Sequence, residues 1–228
     1  MAEVTASKRP SPNFDDRPAD TPIDMVVLHY TGMESAAAAL EHLCDAGARV
    51  SAHYVIDEDG TVISLVAEDK RAWHAGEAYW RGETDINGRS VGVELVNPGH
   101  QFGYRDFPDP QMAALAHLAK EIQTRHSIPP RNIVGHSDIS PRRKIDPGEL
   151  FDWEWLAGMG VGLWPKFPGT FEKSGPSVEV MLEEIGYETI SRDATIMAFQ
   201  RHFRPQKIDR ECDGETMSLV KGLLELVA

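Results

Sequence analysis

The apolar residues of this chain follow two rhythms. In the first part they gather in short runs separated by Gly, Pro, Asn and Asp. Ile23 to Tyr30, IDMVVLHY, is almost unbroken, which predicts a central strand. Val50 to Ile56 and Thr61 to Val66 flank Asp57-Glu58-Asp59-Gly60, the pattern of a hairpin. Ser90 to Val96 alternates, with Val91 and Val93 on one face and Gly92, Glu94 and Val96 on the other. Ile133-Val134 is a last short run, ending at Gly135-His136. Helical spacing separates these runs. Ser35 is placed to cap a helix through Cys44. A longer helix from Asp109 or Pro110 to Arg125 carries the stripe Met112, Leu115, Leu118, Ala119 and Ile122. The pattern predicts an α/β fold, a mixed central β-sheet flanked by helices.

Beyond Asp146 the rhythm changes. A helical turn holds Leu150, Phe151, Trp153, Trp155 and Leu156, and residues 158–176 are rich in Gly and Pro. Three helical patterns follow: Val178 to Ile185, Arg192 to Phe203 and Thr216 to Val227. The expected division is an irregular N-terminal arm at 1–21, a main domain at 22–168, a linker at 169–176 and a small three-helix domain at 177–228.

Composition narrows the function. The 228 residues carry a formal net charge of −13. That argues against nucleic acid and anionic membrane surfaces as partners. No run of about 18 apolar residues predicts a transmembrane segment. The first residues lack the apolar core of a signal peptide, so the expected location is cytoplasmic. A chain whose signal had been removed would look the same, which leaves the periplasm or cell envelope as the alternative. Cys44 and Cys212 form no CxxC and no disulfide framework. Neither lies near a candidate metal ligand in sequence or on a turn that suggests a nucleophile.

The chemistry is concentrated at strand ends. Two apolar runs end in histidines, His29 and His136, and a third presents Glu94. Asp146 follows His136 on a loop stiffened by Pro141 and Pro147, with Arg142, Arg143 and Lys144 between. Two imidazoles and a carboxylate suit Zn²⁺ with a position left for water. Glu94 suits a general base and Lys144 an oxyanion partner. From spacing alone the same residues also fit packing and surface roles: a core histidine at 29, a solvent-facing glutamate at 94, surface charge at 142 and 143. The connection 68–90 has no period. Its Trp73, His74, Trp80, Arg81 and Arg89 suggest a shaped surface, although tryptophans there also serve to pack a loop.

Five segments together go further: VVLHYTG at 26–32, VSAHYVIDEDG at 50–60, AWHAG at 72–76, SVGVELVNPG at 90–99 and VGHSDISPRRKIDPG at 134–148. Over residues 22–168 the chain resembles the zinc N-acetylmuramoyl-L-alanine amidases of the type 2 amidase family, relatives of the peptidoglycan recognition proteins. The resemblance is closest to the subgroup with a C-terminal peptidoglycan-binding-like domain. It implies one Zn²⁺ held by His29, His136 and Asp146, with Glu94 as catalytic carboxylate and Lys144 at the oxyanion. It also implies cleavage of the amide between N-acetylmuramic acid and L-alanine, with muropeptides or peptidoglycan as partner. His53, Trp73, His74 and Trp80 fall in segments that line the substrate groove of such enzymes. Arg81 or Arg89 suits a stem-peptide carboxylate on chemical grounds alone. A cytoplasmic location makes recycled 1,6-anhydro-muropeptides the expected substrate. An envelope amidase acting on intact peptidoglycan and a non-catalytic fragment binder are the alternatives. The helical tail resembles its counterpart more weakly, and a glycan-binding module and a structural cap both stay open.

Overall fold

The computed structural model describes residues 6–166 and 176–227. The strands are β1 (Ser7–Lys8), β2 (Phe14–Asp16), β3 (Met25–Tyr30), β4 (Tyr54–Ile56), β5 (Val62–Ser64), β6 (Lys70–Ala72), β7 (Ser90–Leu95) and β8 (Ile133–Gly135). The helices between them are α1 (Ala36–Cys44), α2 (Ile86–Arg89), α3 (Gly99–Phe102) and α4 (Asp109–His126). After β8 come α5 (His136–Ile139), α6 (Trp153–Gly158), α7 (Val178–Ile185), α8 (Arg192–Phe203) and α9 (Gly214–Val227). The Ser35 hydroxyl accepts the Ala38 N–H, so the expected cap of α1 forms.

Six strands make one mixed sheet in the order β1-β5-β4-β7-β3-β8. Only the β4–β5 hairpin is antiparallel; β1–β5, β4–β7, β7–β3 and β3–β8 are parallel. β7 therefore lies inside the sheet, which removes the solvent-facing edge reading of Glu94. The arm expected to be irregular instead pairs twice, β1 with β5 and β2 with β6. Arg17 pins it, donating to the carbonyls of Glu68, Gly88 and Ser90 at 2.8–2.9 Å. Polarity and three prolines hid these strands, because short edge strands need no apolar face. The expected linker at 169–176, but for its last residue, lies outside the described residues.

The sheet buries both faces. Val26 and Leu28 of β3 join Val91, Val93 and Leu95 of β7 against α4 and α6. Met25 and Val27 point the other way, into one apolar cluster with Val134, Ile139, Trp80 and the helices α7, α8 and α9. The C-terminal helices thus share a core with the sheet. Three short helices of about 50 residues bury too little surface of their own to stand alone easily.

Candidate metal centre and cleft

Register brings the candidate chemistry to one rim. His29 of β3 lies beside Glu94 of β7, and Leu28 lies beside Gly135 of β8, directly before His136. Three parallel strands therefore release Glu94, His29 and His136 at their carboxyl ends, where open α/β sheets place their ligands. The loop after α5 returns Asp146 to the same point, and the Ser137 N–H donates to the Asp146 carbonyl at 2.8 Å.

His29 Nδ1, His136 Nδ1 and Asp146 Oδ2 lie 2.9–3.1 Å from one another, and all three residues are buried. His136 Nε2 donates to the Ala75 carbonyl at 3.0 Å, so a neutral ring turns a bare Nδ1 inward. His29 Nε2 meets His74 Nδ1 at 3.1 Å. Two lone pairs and a carboxylate oxygen facing one another repel unless a cation lies among them. Tetrahedral zinc, with bonds of about 2.0–2.2 Å, sets neighbouring donor atoms a little over 3 Å apart, close to the spacing found. The donor set fits zinc.

The titration behaviour agrees with that use. Burial and the neighbouring His136 lower the His29 pKa to about 4, which keeps the ring in its metal-binding neutral form. Burial acts to raise Asp146, but the His136 and His29 rings outweigh it and hold the carboxyl well below its usual range. Glu94 moves the opposite way. Burial, then the Asp146 charge, raise it well above a free carboxyl, and Lys144 opposes them. Its Oε2 makes no hydrogen bond within the protein.

These groups line a cleft of about 420 Å³ that also includes Tyr30, Trp73, His74, His100, Arg143 and Lys144. One wall is a polar chain: Tyr30 OH to His100 Nδ1 at 3.0 Å, then His100 Nε2 to Glu149 at 3.2 Å. The sequence marks this wall only by the aromatic character of the loop 100–109. Trp73 lines the cleft, its Nε1 donating to Asp15. His74 does so too, but its ring is committed to His29.

Four expected substrate contacts lie elsewhere. His53 is fully buried in the sheet, accepting the Gly92 N–H at Nδ1 and donating from Nε2 to the Lys70 carbonyl. Trp80 is 4% exposed and meets Tyr187 edge to face under the C-terminal helices. Arg81 donates to the Ile185 carbonyl at 2.7 Å. Arg89 is held between Asp24 and Glu83. Each is held by structural partners, and none lines the cleft. Arg142 and Arg143 are also more than free surface charge: Arg142 pairs with Glu188, and Arg143 donates to the Ala75 and Glu77 carbonyls.

A mixed sheet whose parallel strands present a buried His-His-Asp centre beside a glutamate defines a zinc hydrolase. The chain belongs to the N-acetylmuramoyl-L-alanine amidase family, whose model matches residues 19–149. It is 37% identical over 233 residues to the N-acetylmuramoyl-L-alanine amidase AmiD of Escherichia coli K12, covering 89% of this chain and 83% of that protein. The structure of that AmiD in complex with anhydro-N-acetylmuramic acid-L-Ala-D-γ-Glu-L-Lys superposes with a TM-score of 0.79 over 94% of this chain and 98% of that one, at 33% identity. AmpDh3 of Pseudomonas aeruginosa, in complex with an anhydromuramic pentapeptide, gives a TM-score of 0.81 at 30% identity over 100% of this chain and 99% of that one. The 1,6-anhydro-N-acetylmuramyl-L-alanine amidase AmpD of Haemophilus influenzae is 35% identical over 63% of this chain and 86% of its own length. The chain is accordingly a zinc amidase, with one metal site among the described residues.

Proposed function

We propose that this enzyme hydrolyses the amide between 1,6-anhydro-N-acetylmuramic acid and L-alanine of muropeptides, with His29, His136 and Asp146 as zinc ligands, Glu94 as general base and Lys144 as oxyanion partner. The observation that carries this reading is the register of His29 beside Glu94, which sets a half-buried carboxylate with one shielded, unpartnered oxygen at the edge of the three-ligand cluster. The relatives whose names or bound ligands specify the anhydro sugar support the substrate form.

When bound, zinc acidifies a water and polarises the scissile carbonyl. Glu94 accepts the water's proton as the new C–O bond forms, and returns it to the alanine nitrogen as the C–N bond breaks. The products are the muramyl carboxylate and a free L-alanine amine. Burial favours this exchange, because together with the Asp146 charge it raises the Glu94 pKa above that of a solvated carboxyl and so makes its carboxylate a stronger proton acceptor. Lys144 lines the cleft, and its charge acts on both His29 and Glu94, as an oxyanion partner's must. The aromatic and polar cleft wall gives a sugar and a short peptide surfaces to lie against.

The test compares substrate forms. Anhydro-muropeptides and intact sacculi are digested side by side and the products identified by mass spectrometry. Preferential release of the stem peptide from anhydro-muropeptides supports the recycling reading; cleavage confined to intact sacculi replaces it with a wall-degrading one. Binding of either without release of the alanine amine would make the chain a fragment binder.

A further inference from the structure

The outer side of the two histidine ligands is built from one short stretch of backbone and the start of β7. His74 Nδ1 lies 3.1 Å from His29 Nε2, and His74 Nε2 lies 3.1 Å from Ser90 Oγ. The protons along this chain can be assigned. Ser90 Oγ is 2.6 Å from the Ile86 carbonyl, which only accepts, so the hydroxyl proton points there. Toward His74 the hydroxyl is then an acceptor, and His74 Nε2 carries the hydrogen. A neutral imidazole has one N–H, so His74 Nδ1 is bare and accepts from His29 Nε2. His29 Nδ1 is left with its lone pair directed at the centre.

Two further features hold His74 in this role. Asn87 Oδ1 accepts the N–H groups of both His74 and Ala75, at 3.0 and 2.8 Å. The same dipeptide thus supplies the His74 ring to His29 and the Ala75 carbonyl to His136. Gly92 leaves the space that the ring occupies: a Cβ there would lie 2.5 Å from His74 Cγ and Cδ2. Outer partners of metal-bound histidines are more often carboxylates or carbonyls. A carboxylate at 74 would add a third negative charge next to Asp146 and Glu94, whereas an imidazole accepts the proton without one.

We propose that His74, held by Ser90 and suspended from Asn87, is a positioning residue that fixes the tautomer and aim of His29 and so sets the zinc affinity of the centre. This inference rests on the zinc-amidase reading above.

The test uses the full chain, stripped of metal and titrated with zinc against a chelating indicator. Ser90→Ala and His74→Ala weaken zinc binding, by about 10–100-fold on the scale of other outer-shell losses. Ser90→Thr, which keeps the hydroxyl, restores most of it. Unfolding of the metal-free forms is measured in parallel, because a purely structural role lowers that midpoint and leaves the zinc dissociation constant unchanged. A readout on the wild-type protein needs no variant: ¹⁵N NMR of the zinc-loaded form shows His74 protonated at Nε2. A hydrogen on His74 Nδ1, or unchanged zinc affinity in folded Ser90→Ala, overturns the inference. A wild-type chain that binds no zinc overturns the zinc reading itself, so the two failures are distinguishable.

Discussion

Glu94 and His29 are neighbours in register with opposite electrostatic problems. Burial works against the charged form of each, so the carboxyl rises and the imidazole falls to about 4. Glu94→Gln keeps the shape and removes the base. We expect kcat to fall by about 10²–10⁴-fold with zinc content unchanged, checked by steady-state kinetics beside metal analysis. Full activity in that variant would remove Glu94 from the mechanism. The histidines give a pH dependence of stability. Burial lowers the pKa of both His29 and His53 to about 4 in the folded chain, below the 6.5 of a free imidazole. Between those values the unfolded chain binds protons that the native chain excludes. The part of the stability that these two rings contribute is therefore fully present above about pH 6.5 and is lost as pH falls toward 4, whereas Glu94, shifted upward, contributes the opposite slope. Urea unfolding of metal-free Glu94→Gln at several pH values, which removes the opposing carboxyl, checks this; a flat profile through that window would show the rings to be accessible.

At the scale of elements, the strands that build the centre were legible and their surroundings were not. Apolar runs marked β3, β7 and β8, and their terminal His29, Glu94 and His136 could be named before any pairing was known. The order of strands came only from the structure, because period-2 alternation does not tell an inner strand from an edge. The connection 68–90 misled for a related reason. Trp80, Arg81 and Arg89 look like recognition residues in an aperiodic stretch, but their partners, Tyr187, the Ile185 carbonyl and Asp24, are far away in sequence. Asn87 lies in the aperiodic connection and Ser90 at a strand start, and only the fold brings them behind the metal ligands. Gly92 is the element-scale test of that arrangement. Gly92→Ala drives a methyl into the His74 ring. The expected cost is about 1–3 kcal/mol of stability, as for other overpacked interiors, together with weaker zinc binding. Chemical denaturation and zinc titration measure the two effects; an alanine tolerated without either would mean that the ring has room to move.

Across the whole molecule, the C-terminal helices reach toward the metal loop as well as completing the core. Asp138, two residues after His136, is 1% exposed. It accepts from the Gly135 N–H and the Tyr187 hydroxyl at 2.7 and 2.8 Å, and pairs with His202 at 2.7 Å. Tyr187→Phe leaves one side of a buried carboxylate unpartnered, and about 1–3 kcal/mol of unfolding free energy should be lost. Denaturant unfolding reads this directly, and an unchanged midpoint would mean that the contact adds nothing. The proposed centre draws on features spread from residue 29 to residue 146: three strand ends, one returning loop and the backbone behind them. The most direct measurement follows the products from an anhydro-muramyl tripeptide incubated with the protein in metal-free and zinc-reconstituted form, with zinc counted per chain. One zinc per chain, a new L-alanine amine and a muramyl carboxylate only in the reconstituted sample is the expected result. Equal release of that amine after complete removal of metal would contradict a zinc amidase centred on His29, His136 and Asp146.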